Sequence, residues 1–309
     1  MPPAVSILLP TFNRLEFLPA TIDSVWAQTY SDWELIIADD GSSGDTRRYL
    51  ESLTQHPRVQ VHWMPHCGKP AVMLNAAARR ARGAYLAFLD SDDVWLPRKL
   101  EQQLTALARH PERHWSCTAF ELMDAAGKPL AGRRQTVWPA VDGWVRERLL
   151  TDAVIAMPSV VVSRRLFEEV GPLDEDLVMC YDNELWLRLA ARSALDGIAE
   201  PLTRIRRHSM HGGSDIIAWR DRRRVVERAL RADGDLRFNA ILREQRAVMS
   251  AGLARSQAVD GQRAEALCTL AASAPYSWRY AQWWSGAFAA SARACTPRAL
   301  RAAIRALRR

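Results

Sequence analysis

Three carboxylates within four positions follow an apolar run of the chain. The run covers residues 84–89, and Asp90, Asp92 and Asp93 come directly after it. Carboxylates at alternate positions can share a divalent cation, and their hard oxygen atoms suit Mg²⁺ or Mn²⁺. The simpler alternative is a solvated acidic turn that caps a helix beginning near Pro97. The rest of the sequence is needed to distinguish a metal site from a solvated turn.

A second acidic pair ends another apolar run. Residues 33–38 precede Asp39 and Asp40, and Gly41 with two serines then suits a tight turn that opens a helix. Parallel strands of an α/β sheet have their carboxyl ends at one edge, which is where such sheets bind ligands. We therefore expect the carboxylates of both runs to converge at one edge of a sheet.

Strand and helix patterns alternate between residues 5 and 110, as is typical of a doubly wound sheet. Pro10 is expected to stop the first strand, and Gly83 is expected to follow the last turn of a helix over residues 71–82. The predicted strands are residues 5–10, 33–38, 59–63 and 84–89. The sequence therefore predicts an α/β domain at the N-terminal end.

The composition fits a globular protein with reduced thiols. A chain of 309 residues allows one large domain and a smaller one. Five scattered cysteines without a Cys-x-x-Cys pair favour reduced thiols over disulfides or a zinc site. No apolar stretch approaches the ~18 residues that span a bilayer, and no secretory signal is apparent. We expect a cytoplasmic protein, or one that is peripheral on the cytoplasmic face of the membrane.

The net charge of +7 is concentrated in the last third of the chain. Residues 215–309 contain 18 arginines and 8 acidic residues, a net +10, so residues 1–214 carry −3. Helical periodicity predicts helices at residues 222–231, 236–254, 261–274, 276–294 and 298–309. Aromatic and basic residues in 275–309 fit docking on an anionic membrane or a partner, whereas a helical bundle packed on the first domain is the alternative. Nucleic acid is not expected, because no recognised binding fold accompanies the charge.

Three stretches resemble the N-terminal signatures of family 2 glycosyltransferases, in order and at fitting distances. They are VSILLPTFNR at residues 5–14, ADDGS at 38–42 and FLDSDD at 88–93. Residues 157–175 resemble the family's strand, helix and turn before the acceptor side, and residues 181–190 are similar to its helix that carries the catalytic base. The likeness covers roughly residues 4–214 and does not extend into the final third.

The resemblance implies a GT-A fold, an α/β Rossmann-like domain with a mostly parallel sheet flanked by helices, over residues 1–214. Its nucleotide-sugar half would cover about 1–110 and its acceptor half about 111–214, followed by an α-helical region over 215–309. It also implies an inverting, metal-dependent glycosyltransferase. The donor would be a nucleotide-diphosphate sugar, first a UDP-sugar, and the acceptor a glycan or lipid-linked hydroxyl in cell-envelope polysaccharide synthesis.

The same resemblance suggests metal and nucleotide roles. Asp92 would be a direct ligand of Mn²⁺ or Mg²⁺, Asp90 would contact the ribose or the metal's water shell, and His208 is a further candidate ligand. Asp93 fits the N-cap of the next helix equally well, and Phe12 could stack on a pyrimidine or fill the core. The residues that would bind the nucleotide sugar are Pro10, Thr11, Phe12, Arg14, Asp40, Lys69, Asp90 and Ser91.

The general base is expected at the start of the helix over residues 181–190. A carboxylate must take the proton of the acceptor hydroxyl, and Asp182 occupies the matching position, with Glu184 as the alternative on the same turn. Tyr181 stands where the family has Glu, which is a departure from its pattern. Arg188 lies four residues after Glu184, so a structural ion pair between them is predicted.

Two other functions fit parts of the sequence. A sugar nucleotidyltransferase would carry a glycine-rich phosphate loop near the N-terminus, but residues 10–14 contain no glycine. A degenerate protein that binds a nucleotide sugar or a membrane without turnover would explain Tyr181. The four aspartates of the family's pattern that this chain retains argue against that second alternative: Asp40, Asp90, Asp92 and Asp182.

Overall fold

The computed structural model describes residues 2–130, 136–208 and 215–295, which fall into two compact units, Met1–His211 and Gly212–Arg309. The strands are β1 Val5–Thr11, β2 Trp33–Asp39, β3 Val59–Trp63, β4 Tyr85–Phe88, β5 Val94–Trp95, β6 Trp115–Met123, β7 Val137–Trp138, β8 Val160–Ser163 and β9 Leu195–Arg206. The helices are α1 Leu18–Trp26, α2 Gly44–Leu53, α3 Pro70–Ala78, α4 Lys99–Arg109, α5 Arg148–Thr151, α6 Arg164–Val170, α7 Tyr181–Ala190, α8 Asp215–Ala232, α9 Leu236–Asp260, α10 Arg263–Ser277 and α11 Ala281–Cys295.

The strands of the first unit form one sheet in the order β3-β2-β1-β4-β8-β6-β9-β5, with β7 beside β6. Strands β1 to β4 pair in parallel, which confirms the doubly wound pattern predicted for residues 5–110. The rest of the sheet is mixed, because β8 runs antiparallel to both of its neighbours, β4 and β6, while β6 and β9 are parallel. The expected predominance of parallel pairs therefore holds for the first four strands only.

Apolar side chains fill both faces of this sheet. Successive residues of a strand point to opposite faces, so Leu8 packs in one core cluster and Ile7 and Leu9 pack in the other. On the first face, Trp186 of α7 lies edge-on to Phe88 of β4, with ring centroids 6.0 Å apart. Burial on both faces is typical of a central strand of an α/β sheet. The strand that ends in Pro10 and Thr11 is therefore held rigidly.

Strand β1 does not stop at Pro10, contrary to the sequence-based expectation. The carbonyl of Leu8 accepts a hydrogen bond from the N–H of Leu89, at 3.0 Å, on the side of β4. Backbone groups of a strand alternate in direction, so the nitrogen of Pro10 faces the same side, where β4 has already ended at Phe88. Proline costs no ladder hydrogen bond at this position, and β1 continues to Thr11.

Gly83 does not follow the end of a helix, because α3 ends at Ala78. Beyond α3 the chain is drawn towards β2, where the N–H of Arg82 donates to Glu34 Oε1 at 2.8 Å. A Cβ atom at position 83 would lie 2.6 Å from the backbone nitrogen of Ser6. Glycine is therefore required by the close approach of the backbone to β1, not by a helix cap.

Lys99 is fully buried at the start of α4. Its Nζ donates to Gln103 Oε1 at 2.6 Å and lies 4.1 Å from the ring centroid of Trp95. Burial disfavours the charged ammonium and lowers the pKa of Lys99 well below its usual value. The native state therefore holds this amine with less affinity for its proton than the unfolded chain does.

Lys99→Met should weaken the dependence of stability on pH. Unfolding returns Lys99 to water, where it takes up a proton, so the free energy of unfolding rises with pH between the lowered native pKa and the unfolded value of about 10.4. One proton contributes about 1.4 kcal/mol per pH unit. Urea unfolding at a series of pH values below that unfolded value should therefore show a smaller slope in the variant. Lys128→Met, at an exposed position, should keep the wild-type slope; equal slopes for wild type and Lys99→Met would contradict a neutral Lys99.

The described part of the second unit consists of α8 to α11, and α9 contacts each of the other three helices. Ala247, Ala251 and Ala254 of α9 are buried together with Trp283 of α11. The helix predicted at 276–294 begins at Ala281, since α10 continues through Ser277. The helix predicted at 298–309 lies outside the described residues. None of the helices that the structure describes is long and apolar enough to cross a membrane.

Candidate functional site

The carboxyl ends of β1, β2 and β4 lie at one edge of the sheet, since these three strands are parallel neighbours. The loops that follow them carry most of the site residues predicted from the sequence. Thr11 ends β1 and is buried, and its carbonyl accepts a hydrogen bond from the N–H of Asp40 at 2.9 Å. The predicted convergence of acidic residues from two strands at this edge is thus what the topology produces.

Asp40 is held by the loop between β3 and α3. Its carboxylate accepts hydrogen bonds from the backbone N–H groups of Cys67, at 2.7 Å, and Gly68, at 2.8 Å. Gly68 has φ +67°, a conformation that favours glycine. His66 Nδ1 lies 3.0 Å from Asp40 Oδ2. Because the side chain is buried and has several partners, its orientation is fixed before any ligand binds.

The rings of Phe12 and His66 stack on each other beside Asp40. Their ring centroids are 4.0 Å apart and the rings are inclined by only 22°. Phe12 is 38% exposed, so it is not core filler, the alternative that its sequence position left open. Sequence reasoning missed His66, because no spacing signal relates residues that lie on different strand-to-helix loops.

The loops after β1 and β2 are tied to each other. The N–H of Asn13 donates to Ser42 Oγ at 2.9 Å, and Asn13 Oδ1 accepts from the N–H of Ser43 at 3.0 Å. Asn13 adopts φ +48°, which asparagine tolerates better than most residues. The carbonyl of Arg14 accepts from the N–H groups of Phe17 and Leu18 at the start of α1, while the side chain of Arg14 is half-buried. Asn13 was not singled out from the sequence, although it orders this side of the site.

Asp90, Asp92 and Asp182 lie close enough to interact electrostatically, although they come from two distant parts of the chain. Loss of contact with water, the charge of Asp92 and the charge of Asp182 together raise the pKa of Asp90 to about 7. Burial, and then the charges of Asp90, Asp182 and Asp92, raise the pKa of Tyr181 well above its usual value. Ser91, between the two aspartates of the loop, is buried. The start of α7 and the loop after β4 therefore share one acidic site.

Asp93 has a structural role that differs from the predicted helix cap. Helix α4 begins at Lys99 and the residue before it is Arg98, so Asp93 is too distant in the chain to cap it. Instead, Asp93 Oδ1 accepts the N–H of Arg206 at 2.7 Å. Burial, together with the charges of Asp92 and Asp90, raises the pKa of Asp93 well above its usual value. The third carboxylate of the acidic loop thus fastens that loop to the end of β9.

His208 reaches the acidic loop. Its Nε2 lies 2.9 Å from Asp92 Oδ2, and its ring packs on Phe17 with centroids 4.7 Å apart. The guanidinium of Arg206 is buried and donates to the carbonyls of Asp92 and Ala125, both at 2.8 Å. Arg206 is therefore engaged by the acidic loop and by the backbone of Ala125. Residues 209–214, which follow His208, lie outside the described residues.

The two candidate bases on α7 have different surroundings. Glu184 is paired with Arg188 through contacts of 2.6 and 2.9 Å, which confirms the predicted ion pair. Asp182 Oδ1 accepts the N–H of Asn183 at 2.8 Å, and its charge acts on Asp90. Cys180, directly before the helix, has φ +61°, a left-handed conformation that is unusual for cysteine. The structure therefore brings Asp182 to the acidic site and directs Glu184 to Arg188.

Lys69 stands at the N-terminus of α3. Its Nζ donates to the carbonyl of Glu175, at 3.1 Å, in the loop that precedes α7. The side chain of Asn75 bonds the same loop, at Glu175 Oε1 and the carbonyl of Leu173, both at 2.9 Å. Lys69 therefore links the N-terminus of α3 to the loop before α7, and its contact with a bound nucleotide stays a prediction.

Part of this sequence matches a known protein family. Residues 6–120 match the family model described as Glycosyl transferase family 2. An uncharacterized glycosyltransferase of Rickettsia bellii is 31% identical over 202 residues, which are 65% of this chain and 28% of that protein. Residues 6–120 therefore form a domain of glycosyl transferase family 2. Its relative WfgD of Escherichia coli, a UDP-Glc:alpha-D-GlcNAc-diphosphoundecaprenol beta-1,3-glucosyltransferase, is 29% identical over 197 residues, 63% of this chain and 72% of WfgD.

Solved structures show that the fold is the GT-A fold followed by a helical region. Staphylococcus aureus TarS 1-349 in complex with UDP-GlcNAc has a TM-score of 0.66 and 16% identity, covering 94% of this chain and 91% of that one. The mannosyltransferase PcManGT from Pyrobaculum calidifontis, in complex with GDP-Man and Mn²⁺, has a TM-score of 0.59 and 18% identity, covering 95% and 87%.

The side chains of this family 2 domain fit a divalent cation that is shared with a ligand's phosphates. In the part of the chain that the structure describes, no three metal-binding side chains form a complete ligand group. Sites that hold Mg²⁺ together with phosphates use only one or two carboxylates, which Asp92 and Asp90 can supply. His208 Nε2, at 2.9 Å from Asp92, would add an imidazole nitrogen, a ligand that transition metals accept.

Proposed function

We propose that this chain transfers a sugar from a nucleoside-diphosphate donor to a hydroxyl of a glycan or lipid-linked acceptor during cell-envelope polysaccharide synthesis. The observation that carries the proposal is the electrostatic interaction of Asp90 with Asp92 and Asp182 at the carboxyl edge of the sheet, the edge at which the buried Asp40 also lies. The names of WfgD and of the TarS complex both include UDP-sugars, so a UDP-sugar is the first donor to test.

The base of the nucleotide would lie at the Asp40 end of the edge. The exposed face of Phe12, supported by His66 at 4.0 Å, offers a platform on which a pyrimidine can stack. Asp40 is already oriented by Cys67 and Gly68, and the remaining lone pairs of its oxygens can accept from the base. Pro10, Thr11, Arg14, Lys69 and Ser91 would complete the nucleotide-sugar contacts proposed from the family likeness.

The diphosphate would lie at the Asp92 end. Asp92 with Asp90, and His208 beside them, would hold Mn²⁺ or Mg²⁺, which supplies Lewis-acid neutralisation of the leaving diphosphate when bound. Asp93 and Arg206 keep the acidic loop in place through a 2.7 Å hydrogen bond and a 2.8 Å contact to the carbonyl of Asp92. Because the loop is fixed by groups outside the reaction, the two ligand carboxylates need little reorganisation.

Asp182 would act as the general base. Its carboxylate takes the proton of the acceptor hydroxyl while the acceptor oxygen bonds to the anomeric carbon and the diphosphate leaves from the opposite face. This single displacement inverts the configuration. Glu184 is less suited to the role, since both of its oxygens are engaged by Arg188. Tyr181, whose raised pKa keeps it neutral, does not compete with Asp182 for the proton of the acceptor.

Calorimetric titration of UDP, GDP, dTDP and CDP, with Mn²⁺ and with EDTA, tests this assignment. One nucleotide should bind tightly in Mn²⁺, and Asp92→Asn should weaken that binding by about tenfold or more, because one charge-assisted ligand is lost. In EDTA the variant and the wild type should bind alike. Asp45→Asn, at an exposed surface ion pair with Arg48, is the matched control and should behave as wild type. Binding to none of the four nucleotides would favour a degenerate scaffold.

We also propose that residues 275–309 dock on an anionic membrane surface. Trp284 and Phe288, four residues apart on α11, are 56% and 78% exposed, and Trp278 is 60% exposed. Adjacent exposed aromatics of this kind mark interaction surfaces. Trp283, on the same helix, is not available for docking, because it is buried in the helical core.

Co-sedimentation with phosphatidylglycerol vesicles measures this docking. Trp284→Ser with Phe288→Ser should lower the bound fraction about tenfold or more, since each aromatic side chain contributes about 1.5–3 kcal/mol when buried. Leu267→Ser, at an exposed apolar position of α10, is the control and should bind as wild type. If the double variant sediments like the wild type, α11 is not the docking surface; unchanged binding after deletion of 297–309 would exclude the terminal segment.

A further inference from the structure

A cleft between α8 and α9 gathers arginine side chains in the second unit. It has a volume of about 410 Å³ and is lined by Glu227, Leu230, Arg231, Arg243 and Arg246. That volume lies in the range of small-molecule sites. Three of the five lining residues carry a guanidinium group. None of them belongs to the nucleotide, metal or base residues of the first unit.

The single acid of this arginine cleft does not balance its positive charge. Glu227 lies 3.5 Å from Arg223 Nε, one turn earlier on α8, so its charge is shared with an arginine outside the lining. Among the residues that the structure describes, neither Arg231 nor Arg243 forms an ion pair. The cleft therefore keeps an excess of positive charge, which favours an anionic occupant.

Arg246 is oriented for such an occupant. Its guanidinium carbon lies 3.8 Å from the ring centroid of Tyr276, whose hydroxyl is 3.3 Å from Ser250 Oγ. Stacking on an aromatic face fixes the guanidinium plane and leaves its edge available for hydrogen bonds. Within the described residues, the buried Nε of Arg246 has no hydrogen-bond partner. A buried donor without a partner costs free energy that a bound acceptor would recover.

We propose that the arginine cleft binds a phosphate group, carried by an acidic lipid headgroup or by a soluble phosphorylated ligand. The planar fork of arginine matches the oxygens of phosphate, and two parallel N–H···O bonds give both strength and geometry. Arg246 provides the oriented fork, and Arg231 and Arg243 provide further charge at the exposed side of the cleft. The site is independent of the proposed glycosyl transfer, because it uses other residues and needs no divalent cation.

Titration of inorganic pyrophosphate into the full chain tests the cleft. EDTA is present throughout, so that binding at a metal-dependent nucleotide site is suppressed. Arg246→Gln should weaken pyrophosphate binding about tenfold or more, the usual loss for one charge-assisted pair. Arg255→Gln, which removes the same charge from an exposed position of the same helix outside the lining, should change it less than about twofold.

Arg243→Gln is the second variant, since Arg243 is exposed and its loss should not disturb folding, whereas Arg246 also stacks on Tyr276. It should weaken binding in the same direction, by about threefold or more. Equal affinities for wild type, Arg243→Gln and Arg246→Gln would overturn the proposal, as would an equal loss in Arg255→Gln.

Vesicle binding identifies the source of the phosphate. If phosphatidylglycerol vesicles bind the wild type but not Arg243→Gln/Arg246→Gln, and phosphatidylcholine vesicles bind neither, the cleft recognises a lipid headgroup. If the double variant loses pyrophosphate but keeps the wild-type affinity for phosphatidylglycerol, the ligand is a soluble phosphorylated compound. If the double variant keeps both affinities, no phosphate site exists there.

Discussion

Asp182→Asn should lower the rate of sugar transfer by about 10²–10⁴-fold, the usual contribution of a general base. Asparagine keeps the size of the side chain and can still accept the 2.8 Å hydrogen bond from the N–H of Asn183, so the start of α7 should be preserved. It cannot take a proton from the acceptor hydroxyl. The loss should therefore appear in kcat, with nucleotide affinity unchanged within about twofold.

Two further variants separate the base from its neighbours. Asp176→Asn changes an exposed carboxylate in the loop that leads to the same helix and should leave transfer intact. Glu184→Gln should lower the free energy of unfolding, because Glu184 is bound to Arg188. Its kcat should stay closer to the wild-type value than the kcat of Asp182→Asn. The rate of sugar transfer is measured with radiolabelled donor. A normal rate in Asp182→Asn, or a rate in Glu184→Gln as low as that of Asp182→Asn, would show that Asp182 is not the base.

Arg188→Met should lower the free energy of unfolding by about 3 kcal/mol, as expected when one partner of a largely buried ion pair is removed. Glu184, whose side chain is 15% exposed, would lose its partner. The carbonyls of Val170, Gly171 and Pro172 would also lose the donors that hold the turn between α6 and α7, at 2.6, 2.8 and 2.9 Å. Methionine fills a similar volume, so the effect measures lost polar contacts and not a cavity.

Arg192→Met is the matched control for that variant. Arg192 lies one turn later and is 3.8 Å from Glu169, in a pair whose side chains are 64% and 53% exposed. Exposed pairs contribute about 0–1 kcal/mol, so urea unfolding of this control should resemble that of the wild type. If Arg188→Met is no less stable than Arg192→Met, the Glu184–Arg188 pair does not hold the turn.

Local patterns were sufficient to predict most of the first unit. Strands β2 and β3 lie where the apolar runs predict them, and helix α7 lies where the family resemblance implies it. The pair of Glu184 and Arg188 was also predictable, because residues four apart are neighbours on any helix. These features depend on residues that are close in sequence, so the local sequence pattern is enough to predict them.

Contacts between distant segments were not predictable from local patterns. The local pattern predicts a helix cap at Gly83, but the role of this glycine depends on the approach of the chain to Ser6. The same kind of pattern allows a cap as one of the roles of Asp93, whereas its carboxylate bonds the backbone of Arg206 at the far end of β9. His66 was overlooked because its stacking partner, Phe12, belongs to another loop. In each case, tertiary geometry decided between roles that local sequence allows.

The order of the strands also has a consequence for self-association. An exposed sheet edge offers unpaired backbone groups to a second chain and can lead to aggregation. Here the sheet ends in β3 on one side and in β5, of only two residues, on the other. At the end of β3, the guanidinium of Arg47 lies 4.4 Å from the ring centroid of Trp63 and places a charge beside the edge. Both edges are therefore poor templates for adding a strand, which protects the protein at high concentration.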